Sequence, residues 1–233
     1  MNVFGNQGVA VRLAYWANGL VPKAKLLVPK SLHRVVLLRI VGVNEGYERM
    51  TRENLARLFL QNEALPWVRD NYANVLFVGT ASYTYHYETL FRGDPDRYTT
   101  IDHNPGVKVW GGKHHIVASV QGIDKYRPPG FFDCIVLNGI LGYKIPELGD
   151  YGIIERDELR KLIKALHMVM RPGGLLLAGW DLRDMALSAF ELGLLDPYFV
   201  PTSRPPWGAR KECPGDPHVF EFYECQAGER QVV

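Results

Sequence analysis

Apolar residues along this chain fall into two patterns. Short continuous runs bounded by turn residues mark buried strands: Val75 to Val78, Phe132 to Leu137 (FDCIVL) and Leu175 to Ala178. Tyr98 to Ile101, His115 to Val120 and Tyr198 to Val200 read as further strands, and His218 to Cys225 alternates as a strand does. Elsewhere the spacing is helical. Leu55, Leu58, Phe59 and Leu65 follow a cap at Thr51 until Pro66 closes the segment, and Leu159, Leu162, Ile163, Leu166 and Val169 make one apolar face between Asp157 and Met170. Met185 to Leu195 also reads as a helix. Arg171-Pro172-Gly173-Gly174 is a turn, and Pro201 to Pro217 is a proline-rich loop.

Strands alternating with helices and ending in two strands predict a doubly wound, mostly parallel α/β sheet. Seven strands are expected, the last two forming an antiparallel hairpin. A chain of 233 residues suits one such domain and a modest appendage. The division predicted is a helical amino-terminal arm or lid over residues 1–70 and the sheet domain over 71–233.

Charge separates these parts. Arg12, Lys23, Lys25, Lys30, Arg34 and Arg39 precede the first acid, Glu45, whereas the body is mildly acidic. Interleaved with leucine, valine and isoleucine, the basic arm reads first as a layer or lid packed on the domain. Its alternative is peripheral membrane contact through residues 1–44. No nucleic-acid partner is expected, since no RNA-binding module is recognisable. Cys134, Cys213 and Cys225 lie at no metal-ligand spacing, and an odd number is a poor disulfide framework, so a reducing, cytoplasmic setting and no metal are expected.

The segment Asn74 to Asp102 carries the candidate chemistry. Its first strand runs into Gly79, and its second ends in Asp102. A small residue after the first strand of an open α/β sheet lets a ligand approach the backbone, and an acid at the tip of the second can hold ribose hydroxyls. This pairing points to a nucleoside cofactor, although Asp102 before Asn104-Pro105 also suits a turn cap.

FFDCIVLNGILGY, an amphipathic helix and LHMVMRPGGLLLAGW together resemble the class I S-adenosylmethionine-dependent methyltransferases. The match covers roughly residues 72–225: first-strand glycine, second-strand acid, third-strand tip, Phe-Asp strand, Pro-Gly-Gly turn and terminal hairpin. The resemblance implies a Rossmann-like fold and S-adenosylmethionine as cofactor. It implies that Gly79, Thr80, Ala81, Ser82 and Tyr83 form the cofactor loop, with Asp102 and His103 at the ribose. Val120 and Gln121 are then expected at the adenine, and Asn138 and Gly139 at the methionine moiety. The loop departs from the family's acid-x-Gly-x-Gly-x-Gly pattern, because Phe77 replaces the acid, Ala81 the second glycine and Tyr83 the third. A nicotinamide dehydrogenase fits less well, since of its Gly-x-Gly-x-x-Gly only Gly79 remains.

The resemblance implies transfer of a methyl group to a small metabolite or glycan-type acceptor, at oxygen or nitrogen. Alignment of the two reactants supplies most of such catalysis. Where a proton must leave, Tyr143, His86 and His103 are the candidate groups, with His114 and His115 behind them. Tyr83, Tyr85 and Tyr87 alternate beside the loop and either wall the site or pack a first helix. Tyr143, Tyr151, Trp180 and Trp207 are expected to line an aromatic acceptor pocket. The alternatives from other classes are a non-catalytic scaffold of the same fold and an NAD-dependent oxidoreductase.

Overall fold

A computed structural model describes residues 54–91, 93–141, 156–183 and 188–228. They belong to one compact unit that opens at Asn54. The basic arm therefore lies outside the described residues, as do Thr51, Tyr143 and Tyr151.

The strands are β1 (Val75–Val78), β2 (Tyr98–Asp102), β3 (His114–Val117), β4 (Phe132–Asn138), β5 (Met170–Asp181), β6 (Phe199–Pro201), β7 (Arg210–Glu212) and β8 (His218–Cys225). They form one sheet in the order β3-β2-β1-β4-β5-β8-β6, with β7 also paired to β8. Neighbours from β3 through β5 are parallel. β8 runs antiparallel to β5, β6 and β7. Among the described residues the sheet thus has eight strands, one more than the apolar pattern predicts. The added strand, Arg-Lys-Glu, carries no apolar signal and joins β8 through its backbone and an Arg210–Glu221 ion pair of 2.9 Å.

Period-2 alternation divides the core. Leu76, Val78, Ile135, Leu137, Leu176 and Ala178 face one side, covered by Leu162, Ile163 and Leu166 of helix α2 (Arg156–Val169). Val75, Phe77, Cys134, Val136, Leu175 and Leu177 face the other, covered by helix α1. The latter runs from Leu55–Phe59 through a π-helical turn, Leu60–Ala64, to Leu65–Asn71. Asn54 caps it, accepting the Arg57 amide at 2.8 Å. Pro66 does not close this helix. The wide π turn ahead of it absorbs the residue that cannot donate, and the chain stays helical to Asn71.

Expected helices elsewhere are replaced by tighter turns. After β1 come 3-10 turns at Ser82–Thr84, Tyr87–Phe91 and Pro95–Arg97, because a run of tyrosines and threonine followed by Gly93 and Pro95 favours α-helix poorly. In the segment read as Met185 to Leu195, the described residues 188–195 form turns instead. Ser188 and Glu191 bond each other's amides reciprocally at 2.8 and 2.9 Å, and Gly193 takes a φ of +63°. The Arg171–Gly174 segment loops out within β5, so Phe132 pairs with Met170 but Cys134 with Leu175.

Asp133 explains the acid of the Phe-Asp strand. It is buried, accepts the Ala73 and Asn74 amides at 3.0 and 2.8 Å, and pairs with Arg171 at 2.9 Å. One carboxylate therefore fixes the entry to β1 against the start of β4 and the bulge of β5. No helix among the described residues is long and apolar enough to cross a membrane.

Candidate functional site

In a parallel sheet the strand tips share one edge, where ligands bind in open α/β folds. Here β2, β1 and β4 stand side by side and deliver Asp102, Gly79 and Asn138 to that edge. Gly79 leaves β1 with φ +83°, a conformation that favours glycine, while its amide continues the ladder to the Ile101 carbonyl at 2.9 Å. A Cβ at Gly79 would lie 3.6 Å from Ile140 Cδ1, so the loops after β1 and β4 touch.

Asp102 ties the loop to its neighbour. Its Oδ2 accepts the Thr80 amide at 2.9 Å, and Oδ1 accepts the Asn104 amide at 2.8 Å. The acid thus serves as the turn cap and as the brace of the cofactor loop, and each oxygen keeps a lone pair for a further donor. Beside it, Thr80 Oγ1 is buried without a hydrogen-bond partner. The Ala81 amide turns inward to Thr84 Oγ1 at 3.0 Å, and Ser82 opens the short turn that carries Tyr83. The Tyr83 ring does not stand alone, because the Arg57 guanidinium from α1 lies 3.5 Å above its centroid. Arg57 Nη1 is itself buried without a hydrogen-bond partner.

At the tip of β4, Asn138 Oδ1 meets His218 Nε2 at 2.8 Å, and Gly139 takes φ +73° with open space around it. Burial holds the His218 imidazole below its ordinary pKa, with the Arg57 charge adding to this and Asp216 and Asp181 opposing it. Asp216 joins these parts, since its Oδ2 accepts the Ala56 amide of α1 at 3.2 Å and its Oδ1 the His218 amide at 3.0 Å. Arg57 and His218 carry no motif. His218 had one available signal, because the first residue of a strand antiparallel to β5 must sit beside the tip of β5.

Other expected residues lie elsewhere. β3 ends at Val117 rather than Val120, so Val120 and Gln121 belong to a following turn, Val120–Lys125. Val120 packs into the α2-side core, and the Gln121 amide donates to the Glu158 carboxylate at 2.9 Å. His103 is 81% exposed and 3.7 Å from Asp102. His86 packs between Tyr85 and Tyr87, at 5.5 and 4.8 Å, and burial pushes the Tyr87 phenol up to about 12. His114 and His115 sit at the start of β3, away from the tips, bonded to Asp96 at 2.6 Å and Thr100 at 2.8 Å. Trp180 and Trp207 do not share a pocket. Strand alternation sends Trp180 into the α2-side core, while Trp207 packs on Phe59 and Trp67 under α1.

No protein-family model matches the sequence, and no curated protein does. Solved structures match the fold. The N-methyltransferase NodS from Bradyrhizobium japonicum, in complex with S-adenosylhomocysteine, is 17% identical, with 74% of this chain and 89% of that one covered and a TM-score of 0.52. The 1,6-didemethyltoxoflavin-N1-methyltransferase of Burkholderia thailandensis, with its substrate and S-adenosylhomocysteine bound, is 16% identical over 85% of this chain and 91% of that one, at a TM-score of 0.51. The sheet order, the single antiparallel strand β8 and these likenesses agree: the chain has the fold of the class I S-adenosylmethionine-dependent methyltransferases.

Proposed function

We propose that the chain binds S-adenosylmethionine across the tips of β2, β1 and β4 and transfers its methyl group to a small-molecule acceptor at oxygen or nitrogen. The observation that carries this reading is the Thr80 amide bound to Asp102, which couples the loop after β1 to a tip acid with spare acceptor capacity. The residues present fit the cofactor. Asp102 would hold the ribose hydroxyls, Thr80 Oγ1 is a buried group awaiting a partner, and Gly79 and Gly139 leave the backbone open to close approach. The cofactor, when bound, supplies a methyl group already activated by a sulfonium. The chain's own contribution is alignment, and holding reactants in line is worth on the order of 7–11 kcal/mol.

Two solved proteins of this fold hold S-adenosylhomocysteine, and one of them also holds 1,6-didemethyltoxoflavin, which supports the small-molecule reading. The burial of Cys134, Cys213 and Cys225 and their odd number support a reducing, cytoplasmic setting. Residues 1–44 are read as a packing layer or lid, with contact to an anionic membrane surface as the alternative. Calorimetry of the full chain with S-adenosylmethionine, S-adenosylhomocysteine and NAD tests the reading. Binding of the first two alone is expected, binding of NAD alone would make the protein an oxidoreductase, and binding of none would leave a scaffold.

A further inference from the structure

Arg57 brings a cation to the crevice between the loop after β1 and the tip of β4. Its guanidinium stacks on Tyr83, the residue that stands where the third glycine of the loop is expected. Its charge also acts on His218, which bonds Asn138. Yet Nη1 is buried with no hydrogen-bond partner, a costly state for a donor on a charged group. Asp216, whose oxygens accept the amides of Ala56 and His218, is not bonded to it. A half-buried guanidinium fixed by an aromatic face, with its buried Nη1 unbonded and no ion pair among the described residues, is a recognition group for an anion.

We infer that Arg57 binds the carboxylate of the cofactor's amino-acid end, and that Tyr83 replaces glycine in order to hold the guanidinium there. This rests on the cofactor reading above. With Asp102 at β2 taking the ribose, the amino-acid end extends across β1 towards β4, where Arg57 waits. The loop's departure from the glycine pattern and the unbonded Nη1 are then one device. Glycine-lined backbone gives way to a fork of N–H donors, which matches a carboxylate in shape as well as charge.

The test is calorimetry of the full chain with S-adenosylhomocysteine and with 5′-methylthioadenosine, which lacks the amino-acid carboxylate. Arg57→Met should weaken S-adenosylhomocysteine by about tenfold or more and leave 5′-methylthioadenosine unchanged. Arg57→Lys should fall between them, since it keeps the charge and loses the fork. Equal loss for both ligands, or no loss for either, overturns the inference. Should Arg57→Met not fold, the unmodified protein still decides: it should prefer S-adenosylhomocysteine over 5′-methylthioadenosine by a similar factor, and equal affinity overturns the inference. Binding of neither nucleoside by the unmodified protein instead sinks the cofactor reading, and the inference with it.

Discussion

Asn138 at the end of β4 and His218 at the start of β8 join across β5 by a 2.8 Å hydrogen bond that passes over Gly179. The space is available only because that residue has no side chain. A Cβ at Gly179 would lie 2.2 Å from Asn138 Oδ1 and 2.8 Å from His218 Nε2. Gly179→Ala must therefore part the pair, and overpacking of this kind costs about 1–3 kcal/mol. Urea melts should show that loss, and S-adenosylhomocysteine should bind less tightly as Asn138 moves. Stability and affinity both equal to the unmodified protein would contradict this account of the tips.

His218 should also leave a signature in the pH dependence of stability. Burial first, and the Arg57 charge with it, holds its imidazole below the ordinary value of 6.5, against Asp216 and Asp181. The unfolded chain protonates this residue near pH 6.5, as a free histidine does, while the folded protein still resists the proton. The unfolded state then binds more protons, so this group makes stability fall as pH drops below 6.5 towards the depressed folded value, and adds no slope above. His218→Gln removes the effect. The stability difference between the two proteins, followed by denaturant melts from neutral to mildly acid pH, should move in favour of the variant on acidification. A constant difference across that range would refute it.

Asp102 serves the fold as well as the proposed cofactor, so its variants should lose both. Asp102→Ala leaves the Thr80 and Asn104 amides without their acceptors and removes the ribose partner. A stability loss of about 1–3 kcal/mol is expected, with S-adenosylhomocysteine weakened more than about tenfold. Asp102→Asn keeps one oxygen and should lose less of each. An affinity unchanged in Asp102→Ala would remove the residue from the ribose site.

What the sequence disclosed and what it hid follow from how local each signal is. Val75 to Val78 and Phe132 to Leu137 are buried on both faces, so their apolar runs announce strands directly. Gly79 and Asp102 lie at strand ends, and chain order alone brings them together. The strand Arg210–Glu212 is held by a partner distant in sequence and has no pattern of its own. Gln121 fails for a related reason: β3 stops three residues short of the expected end, which turns the amide towards α2. Arg57 and His218 meet the crevice only through packing of α1 and reversal of β8, neither of which a linear motif records.

The Asp133–Arg171 pair separates stability from binding. Asp133 accepts two amides that lead into β1, and its partner Arg171 is half exposed at 50%. Removing the acid strands two donors, at about 1–3 kcal/mol each, so Asp133→Ala should cost roughly 2–6 kcal/mol. Removing the exposed partner should cost less than about 1 kcal/mol, because water replaces it. Neither residue lies at the carboxyl ends of the strands, since Asp133 is near the start of β4. Guanidinium melts of both variants should thus differ widely, while the folded fraction of each binds S-adenosylhomocysteine as the unmodified protein does. A large loss in Arg171→Ala would mean that the ion pair, and not the amide cap, secures this corner. Weakened binding in a well-folded Asp133→Ala would mean that the entry to β1 also sets the geometry of Gly79 at its far end.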